Sequence, residues 1–183
     1  MTKTVRELNA HGGVFAKLTD RSIARETAEK YGVKTVYDSA GQIAQHIYPL
    51  YINNELTANK IRYVRDKKFS YDVSPQGVGL FGQQLFKEGG KYLTITEGEC
   101  DAMAAYELLG SKWAVVSIIK GAAGAVRDIK ENLEYVESFD NVVLCFDKDK
   151  QGMEAAKKVA SILKPRKAKI VTLPNGYKDA NDM

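Results

Sequence analysis

The sequence predicts an α/β protein in two parts: a small α+β subdomain over residues 1–88, then a four-stranded, largely parallel sheet flanked by helices over residues 89–183. Three observations predict it. From residue 92 onward, short β-branched runs alternate with longer stretches whose apolar residues recur at helical spacing, the pattern of parallel strands joined by crossover helices. Upstream of residue 88 the apolar runs are separated by short turn-forming sequences instead, the pattern of a small antiparallel sheet. Between the two lies Lys87-Glu88-Gly89-Gly90, a natural boundary.

Taken in order, Leu18-Thr19-Asp20-Arg21-Ser22-Ile23 leads into a helix over 24–31, with Thr19 or Asp20 available to accept a first-turn amide. Gly32 suits the left-handed position that ends it. Residues 33–37, 43–51 and 60–64 read as strands, with turns at Ser39-Ala40-Gly41 and Asn53-Asn54. In the second part the strands are 92–96, 113–117, 142–146 and 169–173, and the helices are 100–109, 123–136 and 153–163. Lys164-Pro165 stops the last helix, because proline cannot continue one.

Composition narrows the class. A chain of 183 residues that is 44% hydrophobic can bury a core, yet it has no apolar run long enough to cross a bilayer. Its start lacks the apolar centre of a secretory signal, so a cytoplasmic location and no membrane partner are expected. Cys100 and Cys145 sit singly inside apolar segments, and His11 and His46 are scattered. Neither a disulfide framework nor a zinc site follows, and any metal should be a hard ion held by oxygen. Net charge is only +4, but residues 59–69 gather Lys60, Arg62, Arg65, Lys67 and Lys68 against Asp66 alone, with Tyr63 and Phe69 interleaved. That clustering points to an anionic polymer as partner.

The chemistry is carried by three acidic clusters. Thr96-Glu97-Gly98-Glu99 follows the first strand of the second part, Phe146-Asp147-Lys148-Asp149 the third, and Lys178-Asp179-Ala180-Asn181-Asp182 comes shortly after the fourth. Any one of them alone would pass for a surface acid or a helix start. Together they should converge, because ligands of an open α/β sheet bind outside the carboxyl ends of its strands. Alternation along Asp147-Lys148-Asp149 points both carboxylates one way and Lys148 the other. Carboxylates forced together repel and raise one another's pKa unless a cation neutralises them, and an all-oxygen donor set favours Mg2+, with Mn2+ able to substitute. Gly98 would let the turn after Glu97 approach a phosphate closely.

Ile95-Thr96-Glu97-Gly98-Glu99-Cys100-Asp101-Ala102, followed by Leu144-Cys145-Phe146-Asp147-Lys148-Asp149-Lys150-Gln151-Gly152, resembles the motif pair of the TOPRIM superfamily of primases, topoisomerases and nucleases. Leu173-Pro174 with Lys178-Asp179-Ala180-Asn181-Asp182, and upstream Val64-Arg65-Asp66-Lys67-Lys68-Phe69 and Gly79-Leu80-Phe81-Gly82, resemble the RNA polymerase domain of the phage primase-helicase branch. The resemblance implies a TOPRIM domain over 89–183 and a DNA primase core that makes short RNA primers on single-stranded DNA by metal-dependent nucleotidyl transfer. It implies Glu97, Asp147 and Asp149 as the catalytic, metal-binding centre, with Asp101 and Asp179 as further metal-holding acids. Lys60, Arg62, Arg65, Lys67, Lys68 and Gly98 would contact nucleoside triphosphates and template. The expected partners are single-stranded DNA, ribonucleoside triphosphates, a zinc-binding domain and a replicative helicase, in cis or in trans, in the host cytoplasm if the chain is of phage origin. Two departures stand out: the cysteines of that zinc domain are absent, as is the Walker phosphate loop of the helicase. A TOPRIM nuclease using the same acids and a non-catalytic nucleic-acid binding module are the alternatives; a topoisomerase would need a nucleophilic tyrosine on a separate domain.

Overall fold

The structure, a computed structural model, describes residues 12–183; His11 and most of the stretch read for a leader lie outside them. The chain forms two compact units, Met1–Gly79 and Leu80–Met183.

In the first unit, helix α1 (Arg25–Tyr31) precedes four strands: β1 (Lys34–Tyr37), β2 (Ile43–Ile52), β3 (Glu55–Tyr63) and β4 (Lys68–Tyr71). They pair antiparallel in sequence order. The β2–β3 turn is Asn53-Asn54 at φ 50° and 66°, left-handed values that asparagine tolerates and that match the twist of a two-residue hairpin. Leu18, Ile23, Tyr31, Ile47, Leu50 and Ile61 are buried in its core. Gly32 closes α1 at φ 75°, as its position suggested. The other end of α1 differs from expectation, since Ala24 stands at the cap with no side-chain bond. Leu18 and Ile23 exchange backbone hydrogen bonds of 3.0 and 3.2 Å, closing a tight loop. Asp20, within that loop, lies 3.1 Å from Nε2 of the fully buried His46. Burial raises the Asp20 carboxyl, but His46, Arg21 and a backbone hydrogen bond together hold it below its ordinary range.

The second unit runs β5 (Gly90–Thr96), α2 (Glu99–Leu108), β6 (Ala114–Ser117), α3 (Gly121–Glu131), α4 (Leu133–Glu137), β7 (Phe139–Cys145), α5 (Lys150–Ile162) and β8 (Ala168–Ile170). Its sheet has the order β6-β5-β7-β8, and every pairing is parallel. Leu93, Ile95, Val116, Val142 and Leu144 of the sheet pack with Ile129 of α3 and Val159 of α5 in one buried cluster. Each such side chain contributes roughly 1.5–3 kcal/mol by leaving water. Residues 80–86 belong to this unit, because Phe81 and Ser117 exchange backbone hydrogen bonds of 3.0 and 3.1 Å. The division between units therefore falls ahead of Lys87-Glu88-Gly89-Gly90. The helix expected over 123–136 is two helices, broken at Asn132, whose Nδ2 donates to the Asp128 carbonyl at 2.9 Å. Among the described residues no helix is long and apolar enough to cross a membrane.

Candidate active site

Strand register brings the acids to one edge. Thr96, the last residue of β5, lies opposite Ser117 of β6 and Cys145 of β7. Glu97 therefore leaves the sheet beside the segment that carries Asp147 and Asp149. The chain moves from β5 to β6 on one side and returns to β7 on the other, so the strand order reverses between β5 and β7, the place where open α/β sheets bind their ligands.

Glu97 is held from the α3 side. Its Oε1 accepts the Ala122 amide at 3.2 Å, while its buried Oε2 has no hydrogen-bond partner. The segment leading into the first turn of α3, which offers Ala122, is itself clamped: Oδ2 of the buried Asp128 accepts the Ile119 and Lys120 amides at 2.8 and 3.0 Å. Burial chiefly, then the charges of Asp147 and Asp149, push the Glu97 carboxyl above its ordinary range, against the pull of the Ala122 and Asp147 amides.

Asp149 caps α5, its Oδ1 accepting the Gly152 amide at 2.9 Å. A side chain at Gly152 would meet the Asp147 carbonyl oxygen at 2.3 Å, so only glycine lets α5 start this close to Asp147. Oδ2 of Asp147 is 3.2 Å from the Lys178 ammonium. Burial still leaves the Asp147 carboxyl raised, because it outweighs the help from Lys178. Lys148 turns away and donates to the Pro174 carbonyl and to Asn175 Oδ1 at 3.2 and 3.1 Å, fixing the carboxy-terminal loop.

Asp101, on α2, accepts the Asn181 amide at 3.1 Å. Its carboxyl is pushed up to about 8, first by burial, then by Asp179 and Asp147. Burial and these same acids push the Cys145 thiol up to about 11. A side chain at Gly98 would stand 2.6 Å from Asp101 Oδ2, so Gly98 clears space for that carboxylate. Asp179 caps the last helical turn, accepting the Asp182 amide at 2.9 Å.

Among the described residues no three acidic, histidine or cysteine side chains stand grouped as a metal cage. Each aspartate is engaged instead: Asp147 with Lys178, Asp149 and Asp179 with amides, Asp101 with Asn181. The donor set nevertheless fits a hard divalent cation. All its atoms are carboxylate oxygens, they raise one another's affinity for protons, and one buried oxygen of Glu97 lacks any partner.

The cations of residues 59–69 are divided by the β3–β4 hairpin. Arg62 pairs with Phe69 and Lys60 with Tyr71, which puts Lys60, Arg62 and Phe69 on one face. The Lys60 ammonium lies 4.7 Å and the Arg62 guanidinium 5.9 Å from the centre of the Phe69 ring, which is half exposed. Lys68 pairs with Tyr63 on the opposite face, and Arg65 and Lys67 are exposed in the turn.

Sequence reasoning did not single out Lys178, Asp128 or Gly152. Gly152 carried a signal, a glycine just ahead of the expected helix and three residues after Asp149. The other two act through contacts that only the folded chain makes.

The Toprim-like family matches residues 94–183. The chain is 33% identical to the DNA helicase/primase of Enterobacteria phage T3 over all of its own length, and spans 31% of that protein. The crystal structure of the primase fragment of the bacteriophage T7 primase-helicase superposes with a TM-score of 0.84 at 32% identity, covering 99% of this chain and 72% of that one. A structure of the T7 lagging-strand DNA polymerase, with primase domains of two subunits bound to an RNA/DNA hybrid and dTTP, matches with a TM-score of 0.83 at 32% identity, covering 98% of this chain and 88% of that one.

Proposed function

Because the chain belongs to the family of the phage T7 and T3 primase-helicases, we propose that it is a DNA primase core, joining ribonucleotides into short primers on single-stranded DNA in the cytoplasm of a phage-infected host. The observation that carries this is the strand register that delivers Glu97 and Asp147 to one crevice, with a buried Glu97 oxygen lacking a partner. Glu97, Asp147 and Asp149 would hold Mg2+ or Mn2+, with Asp101 and Asp179 as outer acids. A divalent ion bound there would supply charge neutralisation at the reacting phosphate and a lower pKa for the attacking 3′-hydroxyl. The protein's own part is positioning. The Ala122 amide fixes Glu97, and the cap to Gly152 fixes Asp149.

In the first unit, Lys60, Arg62, Arg65, Lys67 and Lys68 would hold triphosphates and template backbone by charge, without reading sequence. Phe69 offers a face on which a base can stack. The T7 primase domains bound to an RNA/DNA hybrid and dTTP support the handling of nucleic acid by a domain of this fold. Neither a zinc domain nor a helicase motif occurs in this sequence, so template recognition and strand opening are assigned to partners, in cis or in trans.

The test supplies single-stranded template, a short annealed oligoribonucleotide, labelled ribonucleotides and Mg2+. The expected product is extended RNA, made far more efficiently than by initiation without the oligoribonucleotide. Asp147→Asn and Asp149→Asn should each abolish it while leaving the fold intact. Strand cleavage in place of extension would favour a nuclease, and near-normal activity in both variants would remove these acids from the mechanism.

A further inference from the structure

We propose that Lys178 is the resident cation of the acid crevice and becomes a phosphate-binding residue once a divalent metal takes Asp147 from it; this rests on the metal reading above. The ammonium lies 3.2 Å from Asp147 Oδ2, and its side chain is 59% exposed against 17% for Asp147. A group of acids without a counterion is costly, and one lysine relieves part of that cost.

Backbone and side chain are differently constrained. The Lys178 carbonyl accepts the Lys148 amide at 2.8 Å, and the Lys178 amide donates to Asp182 Oδ2 at 3.0 Å. The base of the residue is thus held on both sides, while its flexible four-carbon stem lies in solvent. An Asp147 oxygen that binds a divalent ion directly is no longer available to the ammonium, and a divalent ion repels it. The stem then swings about a fixed backbone and carries its charge over the crevice mouth, where a triphosphate would lie. Lysine suits that role, since it binds phosphate as a movable point charge. Lys148 cannot share it, because its ammonium is already bound to Pro174 and Asn175.

The proposal makes two effects of one lysine run in opposite directions. Removing it should tighten metal binding and weaken nucleotide binding. Lys178→Met keeps the stem and deletes the charge. Free Mn2+, read by electron paramagnetic resonance in a titration of the full chain without nucleotide, should give a dissociation constant lowered roughly two- to fivefold, the size of one exposed ion pair. With Mn2+ saturating, the KM for ribonucleoside triphosphate should rise several-fold with a smaller change in kcat. A melting curve matching wild type confirms that the variant is folded. Unchanged or weaker Mn2+ binding, or an unchanged KM, overturns the proposal. Asp147→Asn, titrated in parallel, separates the two levels. If it loses Mn2+ binding while Lys178→Met gains none, only the role of Lys178 fails. If it binds Mn2+ like wild type, the metal reading fails and takes this proposal with it.

Discussion

Replacing Gly152 with alanine sets helix propensity against packing, and packing should win. Gly152 lies in the first turn of α5, where alanine is worth about 0.5–1 kcal/mol more than glycine. The added Cβ would sit 2.3 Å from the Asp147 carbonyl oxygen and 3.0 Å from both its carbonyl carbon and its Cβ. Relief requires a backbone shift of more than half an ångström, on the order of what overpacking costs at about 1–3 kcal/mol. The close atoms are backbone, which no rotamer change can move aside, so the upper part of that range applies. Net destabilisation is about 1–2 kcal/mol, measured by urea unfolding. The displaced residue is a proposed metal-holding acid, and a misplacement approaching 1 Å near reacting groups costs on the order of 10²-fold in rate. Nucleotide incorporation should therefore fall by tens of fold in a protein that is still folded. Gln151→Ala, one residue earlier and exposed, should be close to neutral in both measurements. A Gly152→Ala protein as stable and as active as wild type would falsify the reasoning.

Asp101 predicts a pH dependence. Its folded carboxyl holds a proton to about pH 8, whereas an unfolded aspartate gives it up near pH 4, so this group's stabilisation is greatest below about pH 4 and is lost as pH rises through about 8. In a metal-free buffer with chelator, Asp101→Asn should be more stable than wild type at pH 8, the difference shrinking towards pH 4; an equal difference at both pH values argues against a protonated Asp101. The triple variant Lys60→Ala, Arg62→Ala, Lys67→Ala should weaken single-strand binding alike for all template sequences and flatten its salt dependence by about 0.7 per lost contact. An unchanged slope places the strand elsewhere.

The parallel sheet was legible because strands and helices of the second unit differ in apolar period, and turn chemistry marked the antiparallel β2–β3 hairpin through Asn53-Asn54. The acids were legible as strand-end clusters. Other features were hidden for identifiable reasons. β4 carries Lys68, Phe69, Ser70 and Tyr71, and its exposed Lys68 and Phe69 blur the in–out alternation that reveals a strand. The 64–67 turn is charged like the strands beside it, so the hairpin read as one continuous basic stretch. The break at Asn132 falls inside a run of helical periodicity. Asp20 is a good helix cap by type, and only the closed 18–23 loop and the buried His46 divert it. Lys178 meets Asp147 through the course of the carboxy-terminal loop, which no local pattern encodes.

The pairing of β5 with β7 also governs when the crevice can exist. These strands are neighbours in the sheet, yet α2, β6, α3 and α4 separate them along the chain. Closing so long a loop costs entropy before any contact repays it, and such non-local parallel pairing is intrinsically slow. A chain emerging from the ribosome presents Glu97 well before Asp147 and Asp149 exist to join it. Until β7 docks, Glu97 and Asp101 lack Asp147 and Asp149 beside them, so on the proposed reading chemical competence waits for completion of the fold.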